Sequence, residues 1–278
     1  MRELDAARIT EAVARLCVAA NLRLPADVTA AVAAARRAED WPVACDVLDR
    51  ILENDGLDRG LPICQDTGLA CVFLEIGQEV HIRGDLRDAV DAGVRRGYGE
   101  GYLRKSAVRD PLLDRVNTGD NTPAMLYTEL VPGDRVKLTV APKGFGSENM
   151  SRIAMLRPSD GVAGVKRFVL ETAEAAGPNP CPPMVLGLGL GGTFDKCALL
   201  AKRALLRPLD SHHPDPRYAA LEAELLEAVN ALGIGPQGFG GRATALAVLI
   251  ETMPTHIAGL PCAVNVNCHV SRHQTEVL

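Results

Sequence analysis

Two kinds of apolar pattern alternate along this chain, and they constrain its fold more than any other feature of the sequence. The first part carries apolar residues at helical spacing in "DAARITEAVARLCVAANL", "PADVTAAVAAARRAED" and "WPVACDVLDRILEND". Beyond residue 68, strand-like runs such as "GLACVFLEIG" and "VHIRG" mix with helical patterns, among them residues 161–176 and 215–232. No regular βαβ rhythm appears. We therefore expect an α+β fold with mixed helices and mainly antiparallel sheets.

Two local patterns predict particular connections. The segment "PAMLYTELVPGDRVKLTVAPKG" has two strand-like runs around Val131-Pro132-Gly133-Asp134, which predicts a β-hairpin. The glycines of "GLGLGG", 187–192, lack the G-x-G-x-x-G spacing and a well-placed acidic residue downstream, both typical of dinucleotide sites. We interpret them as a tight turn between a strand and a helix.

Length and charge limit the classes of protein to which the chain can belong. Its 278 residues are 47% hydrophobic, and no repeat or linker divides them, so we expect a single domain over 1–278, or two intimate subdomains. The net charge is −5. The sequence has no basic patch with aromatic residues, so nucleic acid is not an expected partner. The apolar runs are shorter than the roughly 20 residues of a membrane helix, and the N-terminus lacks the apolar segment of a secretory signal. We predict a cytoplasmic protein that binds neither nucleic acid nor a membrane.

The eight cysteines are unusual for such a chain. No C-x-x-C occurs, and a disulfide framework is typical of small secreted proteins. Cys17 and Cys45 lie in helical patterns, and we interpret them as packed thiols. Cys64, Cys181 and Cys268 instead lie in polar, proline- or glycine-containing loops. They are either buried thiols or ligands of a zinc ion or an iron–sulfur cluster, and three thiolates would leave one metal position open.

Other polar loops carry further candidate residues. In "LPICQDTG", Gln65 and Asp66 follow Cys64 directly, next to Thr67 and Gly68. The "GFGS" loop can present backbone N–H groups to an anion. His256, in "PTHIAG", is either a structural histidine or one that takes part in chemistry at a site.

Taken together, these loops resemble the α subunit of the class I, iron–sulfur-dependent fumarases, in the hydro-lyase family that includes L-tartrate dehydratase. The likeness extends over nearly the whole chain. It rests on "PICQDTG", "EGYLRKS", "NTGDNTP", "APKGFGSENMS", "NPCPP", "GGTFDKCALLAKRALLRP", "LGIGPQGFGG" and "PTHIAGLPCAVNVNCHVSRH". Each motif alone is weak, but the ordered set is specific.

The resemblance implies a cofactor and a set of site residues. Cys64, Cys181 and Cys268 would bind a 4Fe–4S cluster whose fourth iron is open to substrate, while Cys197 and Cys262 would be packed thiols. Asp66 with His256 would handle the proton of the reacting hydroxyl. The substrate-binding residues implied are Gln65, Arg104 and, through a backbone N–H, Gly146.

The resemblance also implies a partner and a substrate. The chain would be one subunit of a hetero-oligomer that hydrates a small dicarboxylate, fumarate, and the second domain present in one-chain relatives would be a separate β subunit. Tartrate or mesaconate is the alternative substrate. A metal-binding scaffold without activity is the alternative from another class of protein.

Overall fold

The computed structural model describes residues 1–56 and 60–278, which contain eight α-helices and ten strands. The helices are α1 Ala6–Leu22, α2 Ala26–Ala38, α3 Pro42–Gly56, α4 Leu86–Glu100, α5 Phe145–Glu148, α6 Gly161–Ala176, α7 Phe194–Ala204 and α8 Pro216–Asn230. The strands are β1 Arg2–Asp5, β2 Leu69–Gly77, β3 Val80–Arg83, β4 Met125–Val131, β5 Val136–Lys143, β6 Arg152–Leu156, β7 Met184–Gly192, β8 Ala245–Thr255, β9 Leu260–Asn267 and β10 Gln274–Val277. The predicted α+β class is confirmed.

The chain divides into two compact units. Among the described residues, unit 1 contains 1–25, 60–145 and 272–278, and unit 2 contains 26–56 and 146–271. Each unit has its own four-stranded sheet and its own apolar core.

Unit 1 packs helices α1 and α4 with a sheet of order β10-β5-β2-β4. Asp5 caps α1 by accepting a hydrogen bond from the Ala7 N–H at 2.9 Å, which satisfies one of the donors that a helix start leaves open. The two helices approach closely because α4 presents glycines to α1. A Cβ at Gly93 would lie 2.6 Å from the Val13 Cβ, and one at Gly97 would lie 2.6 Å from the Ala14 carbonyl oxygen.

The predicted hairpin between β4 and β5 is wrong. Both strands form, but β2 lies between them, parallel to β4 and antiparallel to β5. The connecting turn passes over the end of β2, where the Gly77 N–H donates to the Arg135 carbonyl at 2.8 Å. A Cβ at Gly77 would lie 2.3 Å from the Gly133 carbonyl oxygen, so glycine is needed at this crossing.

Unit 2 is built on a sheet of order β6-β9-β7-β8, with β7 antiparallel to β9 and parallel to β8. The leucines of "GLGLGG" and their neighbour Leu186 pack into the core that α6 and α8 share. The glycines alternate with them and face α7, where a Cβ at Gly187 would lie 2.2 Å from the Ala201 carbonyl oxygen. Gly191 and Gly192, with φ of 90° and 67°, still belong to β7 and end it with an irregularity in its pairing with β8, just before α7. The first two glycines are strand residues over which a helix packs closely.

The segment Ala6–Ala38 is long and apolar enough to span a membrane by length and composition. In the structure it is two helices, α1 and α2, which end and begin on either side of Pro25. Nine residues of α1 are buried in the protein. Because core helices of water-soluble proteins pass the same test, this segment is weak evidence for membrane insertion.

The contact of β7 with α7 predicts the effect of adding one methyl group. A Cβ at Gly189 would lie 2.1 Å from the Cys197 carbonyl oxygen and 2.6 Å from the Ala201 nitrogen. Both atoms belong to the backbone and cannot rotate away, so we expect Gly189→Ala to lower the free energy of unfolding by about 3 kcal/mol. Chemical denaturation monitored by circular dichroism measures the change.

Gly99→Ala is the matched control. Gly99 lies in α4, and a Cβ there meets nothing within 4 Å. Alanine in a helix is more favourable than glycine by about 0.5–1 kcal/mol, so this variant should be slightly stabilised. Equal stability of Gly189→Ala and the wild type would contradict the close packing of α7 on β7.

Candidate functional site

The segment 61–68 is a loop of unit 1 that leads into β2. The Ile63 N–H donates to the Asn21 carbonyl at the end of α1, at 2.9 Å. Cys64 and Asp66 are half-buried and Gln65 is exposed. The three candidate residues of this loop therefore lie at the surface of unit 1, within reach of a ligand.

The carboxylate of Asp66 is held by backbone N–H groups on both of its oxygens. Oδ1 accepts from the Gly68 N–H at 3.0 Å, and Oδ2 accepts from the Phe145 N–H at 2.9 Å. A Cβ at Gly144 would lie 3.0 Å from Oδ2, so the loop after β5 approaches the carboxylate closely. A carboxylate oxygen has two acceptor positions, and each oxygen here retains one for a proton or a ligand.

Arg104 is placed by contacts of its own backbone and that of its neighbours. The Thr67 hydroxyl donates to the Arg104 carbonyl at 3.0 Å. The Asn121 Oδ1 accepts from the N–H groups of Ser106 at 2.8 Å and Ala107 at 3.1 Å. The guanidinium itself is exposed and has no hydrogen bond or ion pair within the described residues of unit 1. A forked donor is thus held beside the Asp66 loop with its hydrogen-bonding groups available.

Two buried side chains hold the end of the Asp66 loop at one carbonyl. The Gly68 carbonyl accepts from the Tyr98 hydroxyl at 3.0 Å and from the Asn121 Nδ2 at 3.1 Å. Tyr98 is also 2.7 Å from the Thr67 carbonyl. Burial raises the pKa of Tyr98 well above its usual value, so the phenol keeps its proton and remains a donor.

Cys181 and Cys268 belong to adjacent loops of unit 2. The His269 N–H donates to the Cys181 carbonyl at 3.3 Å, and the His269 Nδ1 lies 2.9 Å from the same oxygen. The Gln237 Nε2 lies 3.2 Å from the same ring nitrogen. The Gln237 N–H donates to the Pro182 carbonyl at 2.7 Å, which adds the "GPQGFGG" loop to the same place.

Burial divides the cysteines into two groups. Cys17, Cys197 and Cys262 are buried, as predicted for packed thiols, and so is Cys71, whereas Cys45, also predicted to be a packed thiol, is only half-buried. Burial raises the pKa of Cys17 and Cys262 to about 12 and that of Cys197 to about 11, so these thiols stay protonated. The other four, Cys45, Cys64, Cys181 and Cys268, are half-buried or exposed. The three predicted ligands are thus in the accessible group.

The structure brings together two of the three predicted ligands, Cys181 and Cys268, whereas Cys64 belongs to unit 1. Within each unit, the described residues form no group of three or more His, Cys, Asp or Glu side chains that could hold a metal ion. The types of donor nevertheless fit an iron–sulfur cluster, because accessible thiols in loops are its usual ligands.

His256 lies in the loop that joins β8 to β9 across the end of β7. Its Nδ1 accepts from the Ala258 N–H at 3.2 Å, and its carbonyl accepts from the Gly259 N–H at 2.9 Å. The Thr255 hydroxyl donates to the Gly192 carbonyl at 2.9 Å and fixes the start of the loop. A neutral imidazole that accepts at Nδ1 carries its proton on Nε2. The ring is exposed, so this nitrogen is available for proton transfer.

Gly146 lies in the short helix α5 and is exposed. A Cβ there would lie 3.6 Å from the Asn179 carbonyl oxygen, an ordinary contact, so the packing of unit 2 does not require glycine. Its proposed role through the backbone N–H stays a prediction. The end of α5 is held by the Glu148 carboxylate, which accepts from the Lys202 Nζ and the Asn265 Nδ2, both at 2.7 Å.

Sequence reasoning missed the residues that support these loops, chiefly Tyr98 and Asn121. "NTGDNTP" marked Asn121 as part of a polar loop, and its φ of 64° is the kind of conformation in which Asn is enriched. Its side chain joins the Asp66 loop to the Arg104 loop, and no local pattern in the sequence predicts that.

The position of Asn121 predicts the effects of two variants. Asn121→Gly tolerates the positive φ but loses all three side-chain hydrogen bonds, so we expect it to lower the free energy of unfolding by about 2 kcal/mol. Asn121→Asp keeps the acceptor for Ser106 and Ala107 but sets an oxygen against the Gly68 carbonyl. It should be destabilised by about 1–3 kcal/mol.

Urea denaturation measures both variants, with Asp114→Asn as the control. Asp114 is exposed, and its side chain has no hydrogen bond or ion pair in the described part of the chain. The control exchanges the same two side-chain types at the surface, so its stability should stay within about 0.5 kcal/mol of the wild type. Wild-type stability of Asn121→Gly would show that the side chain does not hold the two loops together.

Comparison with known proteins identifies the family of this chain. A family model described as "Fumarate hydratase (Fumerase)" matches residues 10–277. The chain is 40% identical over 272 residues to the "Putative L(+)-tartrate dehydratase subunit alpha" of Methanocaldococcus jannaschii, with 95% of each chain covered. It is 32% identical over 274 residues to the L(+)-tartrate dehydratase subunit alpha of Escherichia coli (strain K12), with 96% of this chain and 90% of that protein covered. With matches of this extent, the chain belongs to the fumarate hydratase (Fumerase) family of hydro-lyases.

Proposed function

We propose that this chain is the α subunit of a two-subunit hydro-lyase that reversibly hydrates fumarate to (S)-malate with a 4Fe–4S cluster. The observation that carries the proposal is the match of the fumarate hydratase family model over residues 10–277. The motifs "APKGFGSENMS" and "PTHIAGLPCAVN" support fumarate as the substrate because they are similar to those of fumarases.

The proposed cluster ligands are the thiolates of Cys64, Cys181 and Cys268. Their accessibility supports this choice, since four of the other cysteines are buried in the cores. When bound, a cluster with three protein ligands supplies an open iron that acts as a Lewis acid on the hydroxyl of the substrate.

In the proposed reaction, different side chains have different roles. Dehydration of malate breaks a C–O bond and a C–H bond on the neighbouring carbon, and hydration reverses both. Asp66 and His256 would transfer the proton of the hydroxyl, for which Asp66 has free acceptor positions and His256 an exposed Nε2. Positioned groups of this kind contribute about 10²–10⁴-fold to a rate.

The remaining candidates would bind the dicarboxylate. Arg104 suits a carboxylate because its exposed guanidinium offers a forked pair of donors. Gln65 is exposed beside the cysteine, and Gly146 would contribute its backbone N–H. Cations and N–H groups of this kind stabilise the negative charge that builds on the substrate during proton removal.

A β subunit is part of the proposal. The relatives from M. jannaschii and E. coli are each named as a subunit alpha, which supports a hetero-oligomer. The β subunit would supply the base that takes the C–H proton and further carboxylate-binding cations. We also propose that the complex works in the cytoplasm on a small-molecule substrate, without nucleic acid or a membrane.

L-Tartrate is the second candidate substrate, because the relatives at 40% and 32% identity are named tartrate dehydratases. Tartrate carries one hydroxyl more than malate. A site that hydrogen-bonds that hydroxyl would reject malate by up to about 10⁴–10⁵, because its polar groups would be left unpaired. Mesaconate differs from fumarate by one methyl, worth about 1–3 kcal/mol in an apolar pocket. It is therefore a candidate for a second activity.

The cofactor proposal predicts the metal content of the chain. After anaerobic reconstitution, we expect about four iron and four acid-labile sulfide per wild-type chain. Cys64→Ala should lose most of both, whereas Cys45→Ala should keep them, since Cys45 is half-buried but lies outside the predicted ligand set. Equal iron in the two variants would contradict Cys64 as a ligand. If the wild-type chain alone holds no iron, the complex with the β subunit is measured in the same way.

Turnover with and without the β subunit tests the reaction. We expect activity only in the complex, highest on fumarate, with weaker activity on mesaconate and on L-tartrate. Asp66→Asn should lower kcat by about 10²-fold or more, because the amide cannot accept the transferred proton. The exposed Asp46→Asn should match the wild type.

Three results would revise the proposal. Substantial activity of the chain alone would contradict the need for a β subunit. A preference for L-tartrate would make the second candidate the correct one. A full complement of iron without turnover on any of the three substrates would identify a metal-binding scaffold.

A further inference from the structure

Arg272 is a buried cation beside the loop that carries Cys64 and Asp66. It precedes β10 in unit 1, and the residue is only 4% exposed. Its Nη2 donates to the main-chain carbonyl of Asp66, 206 residues away in the sequence. The guanidinium therefore reaches the backbone of the loop from the far end of the chain.

Two donors of this guanidinium are buried without a partner. Nε and Nη1 have no hydrogen bond within the described residues, and neither is accessible to solvent. An arginine cannot shed its proton to avoid the cost of burial. Leaving such charged donors unpaired costs more than leaving neutral ones, so they need an explanation beyond the single bond to Asp66.

Arg207 in unit 2 shows how this protein buries an arginine for structure alone. Its Nη1 lies 2.9 Å from the Glu222 carboxylate and 3.6 Å from that of Glu251. It also donates to the Ile250 carbonyl at 2.9 Å. Its Nη2 is unpartnered too, but the charge of this guanidinium is neutralised by carboxylates. The charge of Arg272, by contrast, faces a neutral carbonyl as its one hydrogen-bond partner in the described part of unit 1.

We propose that Arg272 is a positioning residue that fixes the backbone at Asp66 and whose uncompensated charge stabilises an anionic group bound at this loop. Two anions share that chemistry: a substrate carboxylate and the thiolate-ligated cluster. The anion and the catalytic use of Asp66 rest on the proposed function. The hold of Arg272 on the loop does not, and it can be tested on the full chain alone.

Hydrogen–deuterium exchange of the full chain tests the positioning role. Arg272→Gln removes the charge and the long reach, and Arg272→Lys keeps the charge. We expect the amides of residues 61–68 to exchange at least tenfold faster in Arg272→Gln than in the wild type, with Arg272→Lys in between.

Arg2→Gln is the matched control. Arg2 also donates to main-chain carbonyls, those of Leu278 at 2.9 Å and Asp134 at 2.8 Å, and so ties down the other end of the same C-terminal segment. Its variant should leave exchange at 61–68 within twofold of the wild type. The amides of β5 in unit 1 and of β7 in unit 2 report whether a variant has unfolded as a whole. If Arg272→Gln has unfolded, the exchange of residues 61–68 in Arg272→Lys decides whether the positioning role holds. Wild-type exchange at 61–68 in the folded Arg272 variant, or equal acceleration by Arg2→Gln, would overturn the positioning role.

The reconstituted αβ complex identifies the anion. If it is a substrate carboxylate, KM and the inhibition constant of the unreactive dicarboxylate succinate should rise at least tenfold in Arg272→Gln at unchanged iron content, with partial rescue in Arg272→Lys. If it is the cluster, iron per chain should fall in Arg272→Gln and be retained better in Arg272→Lys. Wild-type iron, KM and succinate inhibition in a folded Arg272→Gln would overturn the anion-binding role. If the complex has no hydratase activity, the exchange experiment still decides whether Arg272 holds the loop.

Discussion

The carbonyl of Gly68 is the acceptor on which the loops of unit 1 depend. Tyr98 donates to it from the helix α4, and Asn121 donates to it from the loop before β4. One residue earlier, Thr67 reaches the backbone of Arg104. Most of this support comes from side chains outside the loop that bind its backbone atoms, which satisfies the polar groups of the loop and leaves Cys64 and Asp66 half-buried and Gln65 exposed.

Much of the secondary structure was predictable, because it follows from local periodicity. The helix predicted over residues 161–176 is α6, and the pattern at 215–232 corresponds to α8, Pro216–Asn230. Strand pairing was less predictable. The hairpin prediction failed because the partner of both β4 and β5 is β2, a strand some 50 residues earlier that occupies the space between them. A turn sequence shows that the chain reverses, but it does not show whether the two strands are neighbours.

The candidate site, too, could be predicted from the sequence only in part. The residues with reactive groups were found from the sequence because thiols, carboxylates and imidazoles stand out in polar loops. The residues that position them do not stand out. Tyr98 looks like an ordinary core residue of a helix, and only the structure shows that its hydroxyl ends at the carbonyls of Thr67 and Gly68. Arg272 looks like one surface charge among several, yet it is buried. Long-range side-chain contacts of this kind leave no periodic signal along the chain.

Burial, more than the spacing of the cysteines, decides which thiols of this protein can become ligands. Cys17, Cys197 and Cys262 are fully buried, so no ligand can reach their sulfur atoms from solvent, and burial also raises the pKa of these thiols to about 11 or 12. The fold removes these from consideration although their spacing is no worse than that of the others. Cys181 is at the opposite extreme: it is exposed and has a φ of 53°, a conformation that costs a non-glycine residue energy. A side chain larger than hydrogen stands there despite that cost, at the point where the His269 N–H contacts its carbonyl. That combination of exposure and strain is what a residue kept for its thiol would show.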